Sequence, residues 1–161
     1  MTEREGSRLS HLRADGSAHM VDVSAKEVTI RSASAAGRVL LSAAAVAALR
    51  EGTVPKGDAL SVARIAGIQA AKRTPDLIPL AHPIGVHAVE VDLVVVDDGV
   101  NLSATVRTAD RTGVEMEALT AVAVGALALI DMVKAVDKHA RVTDVRVTAK
   151  SGGRSGDWVE P

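Results

Sequence analysis

The longest apolar run in the chain extends from Ala118 to Ile130 and predicts one long central helix over residues 113–138. Thr112 and Glu115 have the spacing of a capping box at its start. Because almost no polar residue interrupts the run, the helix must be buried on all sides or span a membrane. The run is shorter than the roughly 20 apolar residues of a membrane span. We therefore interpret it as a core helix, covered partly by its own chain and partly by a second copy.

Charged residues occur only at the two ends of this predicted helix. Glu115, Lys134 and Lys138 suit the helix dipole, whereas Asp131 is an acid at the unfavourable end. Asp131 and Lys134 lie three residues apart and share a face. Burial would raise the pKa of Asp131, and the lysine would lower it. Such pairs mark functional sites but also occur as structural ion pairs, and the structural interpretation is favoured for these two residues alone.

Alternation of apolar and polar residues predicts strands elsewhere in the chain. The clearest pattern covers residues 86–96 and 100–108, with Asp97-Asp98-Gly99 as the turn of a hairpin. A strand over 26–34, a turn at Ala36-Gly37 and a return strand over 38–41 are predicted before it. A last strand is predicted over 141–149.

Two further helices are predicted from their first residues. Ser42 is an N-cap for a helix over 42–50, and Asp58 is an N-cap for a helix over 59–73. The apolar side of the second helix is predicted to consist of Val62, Ile65, Ala66 and Ile68. The order of elements predicts an α+β fold of the ferredoxin-like split βαβ type, a sandwich in which helices pack on one face of an antiparallel sheet.

Several loop residues are candidates for chemistry, each with a plainer alternative. Lys56 lies beside the start of the second helix, where a cation suits an anion, although a solvated loop lysine is the simpler interpretation. Pro79 and Pro83 restrict the backbone around His82, so its ring is either aimed at a ligand or bonded to a nearby carbonyl. The stretch 150–156 (KSGGRSG) is either a disordered tail or an arm that closes on phosphate.

The segment from Ser10 to Ser24 is predicted to be an ordered loop. It contains His11, His19 and Asp22, but their spacing fits no standard metal site, and hydrogen-bonded loop residues are the favoured interpretation. The chain has no cysteine, which excludes disulfides and thiolate chemistry within it.

Composition changes the expected core and the expected partners. The 161 residues suit one domain, and they include no Phe, no Tyr and a single Trp, so the core must consist of Ala, Val, Leu and Ile. Small side chains bury little area each, which favours a core shared between copies. The net charge of −1 and the lack of aromatic residues argue against nucleic-acid binding. The charged N-terminus does not look like a signal peptide, and we expect a cytoplasmic protein with no membrane partner.

The division of the chain follows from these observations. Residues 1–10 are predicted to be a mobile tail, residues 11–150 a single folded domain, and residues 151–161 a flexible arm rich in glycine and serine.

Long motifs along almost the whole chain resemble the MoaC family of molybdenum cofactor biosynthesis. They extend from residue 10 to residue 157 and keep a consistent order. The matching segments are AHMVDVS (18–24), KGD (56–58), ARIAGIQAAKRTPDLIPLAHP (63–83), TGVEMEALTA (112–121), DMVKAVDK (131–138) and KSGGRSGD (150–157).

The resemblance implies a reaction and an assembly. The implied substrate is a cyclised dihydroguanosine triphosphate made from GTP by a radical SAM partner enzyme, and the products are cyclic pyranopterin monophosphate and pyrophosphate. The implied assembly is a homohexamer, a trimer of dimers of ferredoxin-like subunits with each site at a dimer interface. The sequence requires no cofactor, and Mg²⁺ is compatible with a triphosphate substrate.

The resemblance also assigns roles to residues of this chain. It favours a functional over a structural interpretation for four of them: Asp131, Lys134, Lys56 and His82. Asp131, Lys134 and Lys56 match the catalytic positions, with Asp131 and Lys134 as an acid/base pair. No metal ligand is implied. The positions that match substrate-binding stretches or substrate contacts are Leu80, Ala81, His82, Arg31, Glu115, Met116, Glu117 and Lys150.

Two departures and one rival interpretation accompany the resemblance. Ala81 stands where many relatives have cysteine, which implies that a thiol is dispensable there, and Arg154 stands where many have lysine. The rival interpretation is a non-catalytic subunit that binds a nucleotide with the same cations but does not turn it over.

Overall fold

Strand β1 (Thr29–Leu40) is the centre of a five-stranded antiparallel sheet in the computed structural model, which describes residues 10–161. It pairs with β3 (Gly99–Asp110) on one side and with β4 (Arg141–Ser151) on the other. The edge strands are β2 (Ala88–Val96), beside β3, and β5 (Trp158–Val159), beside β4. Apart from Ser10, the predicted N-terminal tail lies outside the described residues.

The helices fit between the strands in the predicted order. They are α1 (Ala43–Glu51), α2 (Ala59–Lys72), the short α3 (Thr74–Leu77) and α4 (Glu115–Val133). Helices α2 and α4 pack against each other, and α4 lies across β1, β3 and β4. The sheet order β2-β3-β1-β4-β5 places β3 between β1 and β2, as in a split βαβ unit. The α+β ferredoxin-like fold predicted from the sequence is thus confirmed.

Three local predictions are confirmed by hydrogen bonds and register. The Ser42 side chain accepts from the Ala45 amide at 3.3 Å, and Asp58 accepts from the Ser61 amide at 3.0 Å, so both predicted N-caps form. Strands β2 and β3 form the predicted hairpin, with Val96 opposite Gly99.

Small residues bring the two main helices unusually close together. A Cβ atom on Gly67 would lie 2.8 Å from the Ala121 carbonyl oxygen, and one on Gly125 would lie 3.3 Å from the Ala63 carbonyl oxygen. Without bulky side chains between them, α2 and α4 touch through backbone atoms, which compensates for the lack of aromatic residues. The largest fully buried apolar side chains are Leu102, Leu129, Val39, Val100, Val106, Val114, Val122 and Val133.

The predicted turn at Ala36-Gly37 is wrong. β1 continues through both residues, and Gly37 pairs with Leu102 of β3. A Cβ atom on Gly37 would lie 2.8 Å from a methyl group of Val122 on α4. The glycine therefore lets the helix approach the strand closely. In the sequence alone, a glycine with this role inside a strand cannot be told from a glycine in a turn.

The predicted apolar side of α2 is wrong for Val62 and Ile65, whereas Ile68 is half-buried and packs against the core. The buried residues are Ala59, Ala63, Gly67, Ala70 and Ala71. Val62 and Ile65 are exposed, Ile65 to 57%. Close contact with α4 selects the side of the helix with the smallest residues, and Val62 and Ile65 are left facing outwards.

Helix α4 is shorter than predicted and begins differently. It starts after Val114, an N-cap residue that makes no side-chain cap bond, and the Glu115 carboxylate of the predicted capping box accepts from Lys150. It ends at Val133, and the chain that follows is held by Asp137, whose carboxylate accepts from the Ser42 amide at 2.6 Å. Among the described residues, α4 is the one helix long and apolar enough to cross a membrane, and 56% of its most apolar window is buried, as in a core helix.

Candidate active site

Asp131, at the C-terminal end of α4, carries one lysine on each oxygen of its carboxylate. Lys134 Nζ lies 2.7 Å from Oδ1, and Lys56 Nζ lies 3.1 Å from Oδ2. We call these three residues the aspartate–lysine cluster. The structure therefore joins the three residues predicted to be catalytic, although 75 positions separate Lys56 from Asp131.

The cluster is exposed, contrary to the burial predicted for Asp131, whose side chain is 56% exposed. Exposed ion pairs of this kind contribute little to stability, so stability does not account for the arrangement. Hydrogen bonds from Lys134 and then Lys56, together with their charges, hold the pKa of Asp131 below its usual value. Asp131 is thus a carboxylate at neutral pH and accepts hydrogen bonds from both lysines.

Lys56 reaches Asp131 from a tight loop before α2. Gly57 has a φ of 104°, in the region that favours glycine, and its amide donates to the Val54 carbonyl. Asp58 then begins α2 as its N-cap. This loop faces α4 because α2 and α4 pack together, so the helix pair fixes the position of the lysine.

A cavity of about 930 Å³ lies at the opposite end of α4, and we call it the basic cavity. Its lining includes four cations, Lys26, Arg31, Lys150 and Arg154, and two carboxylates, Glu27 and Glu115. The remaining lining comes largely from serines, threonines and glycines. A wide cavity with this balance of charge suits a polyanion.

The glycines of the C-terminal arm shape one wall of the basic cavity. Gly152 and Gly153 have φ angles of 81° and 77°. A Cβ atom on Gly152 would collide with the Ile30 carbonyl, and one on Gly153 would collide with the Arg31 guanidinium. The arm therefore lies directly against β1, and a turn followed by β5 returns it along β4.

Two of the predicted substrate contacts are held in place at this cavity. Lys150 Nζ donates to Glu115 at 2.8 Å, and Arg31 Nε donates to the Asp110 carbonyl at 3.1 Å. The rest of the Arg31 guanidinium faces the glycine arm. Both cations are thus positioned before any ligand arrives, which reduces the entropy lost on binding.

A second cavity of about 310 Å³, which we call the narrow cavity, receives the other predicted binding residues. Leu80, Ala81, His82, Met116 and Glu117 all line it. The structure thus brings together two segments that lie more than 30 positions apart in the sequence.

His82 and the N-terminal loop form one side of the narrow cavity. His82 Nε2 bonds the Val21 carbonyl, the alternative predicted from the sequence, and because a carbonyl only accepts, Nε2 carries the hydrogen. His11 also lines this cavity and belongs to the predicted hydrogen-bonded loop, where the His19 amide donates to the His11 carbonyl at 3.0 Å.

Glu117 is the carboxyl group of the narrow cavity and is only 3% exposed. Burial raises its pKa to about 7, a bond to its own backbone amide opposes the rise, and the charge of Glu115 adds to it. Near neutral pH the group is therefore divided between a hydrogen-bond donor and an acceptor. Buried carboxyls with raised pKa values in a cavity are typical of functional sites.

The two cavities adjoin each other and lie far from the aspartate–lysine cluster. Lys26, Thr112 and Gly113 line both cavities. Glu115 and Asp131 lie sixteen residues apart on α4, or about 24 Å at 1.5 Å per residue. The predicted site residues therefore form two groups at opposite ends of one helix.

Sequence reasoning missed the residues at the junction of the cavities, above all Lys26. The available signal was its place two residues after the motif at 18–24, within a segment interpreted as the start of a strand. Within residues 10–161, no three His, Cys, Asp or Glu side chains are grouped as a metal site would need.

A ferredoxin-like domain with a cation-lined cavity joined to a narrow one is the framework of a protein that binds an anionic small molecule. Sequence comparison identifies the family within that class. The model of the MoaC family matches residues 20–153, and the chain belongs to this family.

Curated relatives cover nearly the whole chain. A cyclic pyranopterin monophosphate synthase of Streptomyces coelicolor is 65% identical over 152 residues, which are 94% of this chain and 89% of the relative. The enzyme of the same name from a Nocardioides species is 62% identical over 157 residues, 96% of each chain. Cyclic pyranopterin monophosphate synthase 2 of Mycobacterium bovis is 54% identical over 158 residues, 98% of this chain and 95% of the relative.

Proposed function

We propose that this protein is a cyclic pyranopterin monophosphate synthase, a lyase of molybdenum cofactor biosynthesis. It converts (8S)-3′,8-cyclo-7,8-dihydroguanosine 5′-triphosphate to cyclic pyranopterin monophosphate and releases pyrophosphate. The observation that carries the proposal is the joined pair of cavities in a chain of the MoaC family. One cavity offers cations for a triphosphate, and the other offers a buried carboxyl for the ring system.

The charges divide the substrate between the cavities. Arg31, Lys150 and Arg154 line the basic cavity and bind phosphate oxygens, Arg31 and Arg154 through paired N–H groups. Glu117 and His82 line the narrow cavity and hydrogen-bond the guanine-derived ring. Mg²⁺ would enter on the triphosphate oxygens, the ligands it prefers.

The aspartate–lysine cluster supplies the proton transfers. The substrate rings must open and close again, and each step moves protons on nitrogen or oxygen atoms. Lys134 and Lys56 donate and recover protons, and the ionised Asp131 holds both ammonium groups in place. This differs from a simple Asp131/Lys134 acid/base pair, because the lowered pKa of Asp131 makes it a poor proton donor.

The cluster and the cavities meet between two copies of the chain in this proposal. One chain cannot bring them together, because α4 separates them by about 24 Å. Leu127, one turn before Asp131 on α4, is 59% exposed, and Val62 and Ile65 are exposed on the adjoining helix. An apolar surface beside the cluster is what a second copy would cover. The family resemblance implies the same arrangement within a homohexamer.

A coupled assay tests the activity. GTP, an active radical SAM cyclase and this protein are incubated together, the pterin product is oxidised to its fluorescent form, and pyrophosphate is measured in parallel. The expected result is pterin and pyrophosphate in equal amounts. No pterin, with the cyclised triphosphate still bound, would overturn the synthase assignment in favour of a binding subunit.

The same assay tests the cluster. Asp131→Asn and Lys56→Ala should each lower turnover at least ~100-fold, the usual scale of general acid–base catalysis. The oligomer should persist, which size-exclusion chromatography with light scattering would show. Lys72→Met, on the exposed end of α2, is the matched control. Turnover near that of the unmodified protein in Asp131→Asn would contradict the catalytic role of the cluster.

A further inference from the structure

Lys26 lies where the two cavities meet. Of the charged residues in the described part of the chain, Lys26 is the one that lines both cavities. The other residues shared by the cavities are Thr112 and Gly113, which contribute a hydroxyl group and backbone. A ligand that occupies both cavities must pass beside these three residues.

The backbone of Lys26 is fixed on both sides. Its amide donates to the Val23 carbonyl at 3.0 Å, and its carbonyl accepts from Arg111 Nε at 2.9 Å. Arg111 directly follows β3, so the loop that carries Lys26 is tied to the sheet. Both anchors are main-chain atoms, and changing the side chain leaves them in place.

In the proposed substrate, the α-phosphate is the group that would lie where the two cavities meet. The rings of the substrate occupy the narrow cavity and its terminal phosphates the basic cavity, so the α-phosphate, which links them, lies at the junction. In the proposed reaction a substrate hydroxyl attacks this phosphorus. A new P–O bond forms, the bridging bond to the β-phosphate breaks, and pyrophosphate leaves with the proton that the hydroxyl gives up.

We infer that Lys26 is a catalytic residue that contacts the α-phosphate and stabilises the charge that builds up on its oxygens during this attack. The inference rests on the proposed synthase function and adds a residue to it. The interaction of an ammonium group at this point with the phosphate oxygens becomes stronger as negative charge grows in the transition state. Thr112, with a hydroxyl at the same junction, is placed to support it.

Single-turnover kinetics of Lys26→Met test this inference. The purified cyclised triphosphate is mixed with excess protein, and the rates of cyclic phosphate formation and pyrophosphate release are followed together. Loss of one transition-state donor should slow both rates ~100- to 1000-fold. Substrate affinity should change much less. Lys26→Arg, which keeps the positive charge, should recover part of the rate.

The control and the contrary results are distinct. Lys72→Met removes a lysine that lines neither cavity and should leave both rates unchanged. A Lys26→Met rate within about twofold of the unmodified protein would overturn the inference. A loss confined to affinity would also overturn it, since uniform binding does not raise the rate of the chemical step. If the unmodified protein makes no product, the synthase proposal fails instead.

Discussion

At the scale of single residues, Asp131 and Glu117 are carboxyl groups of one helix whose pKa values move in opposite directions. Two lysines lower the pKa of the exposed Asp131, and burial raises that of Glu117 to about 7. Opposite shifts divide roles in an active site, because one group stays ionised while the other exchanges a proton near neutral pH.

The buried Glu117 should make stability depend on pH. Its folded pKa of about 7 lies above the ordinary value of 4.5, so its contribution is complete below about pH 4.5 and is lost as the pH rises through about 7. The expected loss is at most about 3 kcal/mol. Urea unfolding of the unmodified protein and of Glu117→Gln, at about pH 5 and about pH 8 and equal protein concentration, would measure it.

The glutamine variant should lack most of this fall in stability, because it has no proton to lose. Glu90→Gln, on the exposed side of β2, is the control and should behave like the unmodified protein. An equal pH dependence in the Glu117→Gln variant would show that the fall arises elsewhere.

The contacts of single residues could be predicted from the sequence only where the partner is close along the chain. The Asp131–Lys134 pair follows from a three-residue spacing on a helix, and it forms. The bond from Lys56 to Asp131 depends on how α2 packs on α4, which no spacing encodes. Glu115 and Glu117 look alike in the sequence, but in the fold Glu115 accepts a hydrogen bond from Lys150, whereas Glu117 is buried.

At the scale of elements, close packing by small residues determines where the site residues lie. Gly37 lets α4 approach β1, and Gly67 and Gly125 let it approach α2. The sequence predicted the elements and their order well, because hydrophobic alternation and N-caps are local signals. The predictions for Ala36-Gly37 and for the buried face of α2 were wrong, because a glycine or alanine shows where two elements are in contact only when the opposing element is known.

Gly37→Ala should therefore destabilise the protein. The added methyl group would lie 2.8 Å from Val122 and 3.1 Å from Val145, and such overpacking costs about 1–3 kcal/mol. Thermal unfolding would measure the change. Gly85→Ala is the control, since its nearest new contact is an ordinary 3.5 Å from His87. A Gly37→Ala variant as stable as the control would contradict this account of the close approach.

At the scale of the whole molecule, one chain carries two separate groups of candidate site residues. The cavities lie at the N-terminal end of α4 and the aspartate–lysine cluster at its C-terminal end, beside exposed apolar side chains. The small side chains in the sequence could suggest a core shared between copies. The distance between the cavities and the aspartate–lysine cluster, however, could be measured only in the folded chain. In a two-fold dimer each chain would complete the other's site, which gives two equivalent sites.

The central claim is that each site combines the cluster of one chain with the cavities of another, and subunit complementation tests it most directly. Asp131→Asn, with a defective cluster, and Lys150→Ala, with a defective cavity, are co-expressed with different tags, and oligomers that carry both tags are assayed. A dimer that carries both tags would contain one intact site out of two, so roughly half of full activity should return. Asp131→Asn with Lys134→Ala, two defects within the cluster, should regain none. Activity no higher than that of the inactive parents in the first mixture would contradict the shared site.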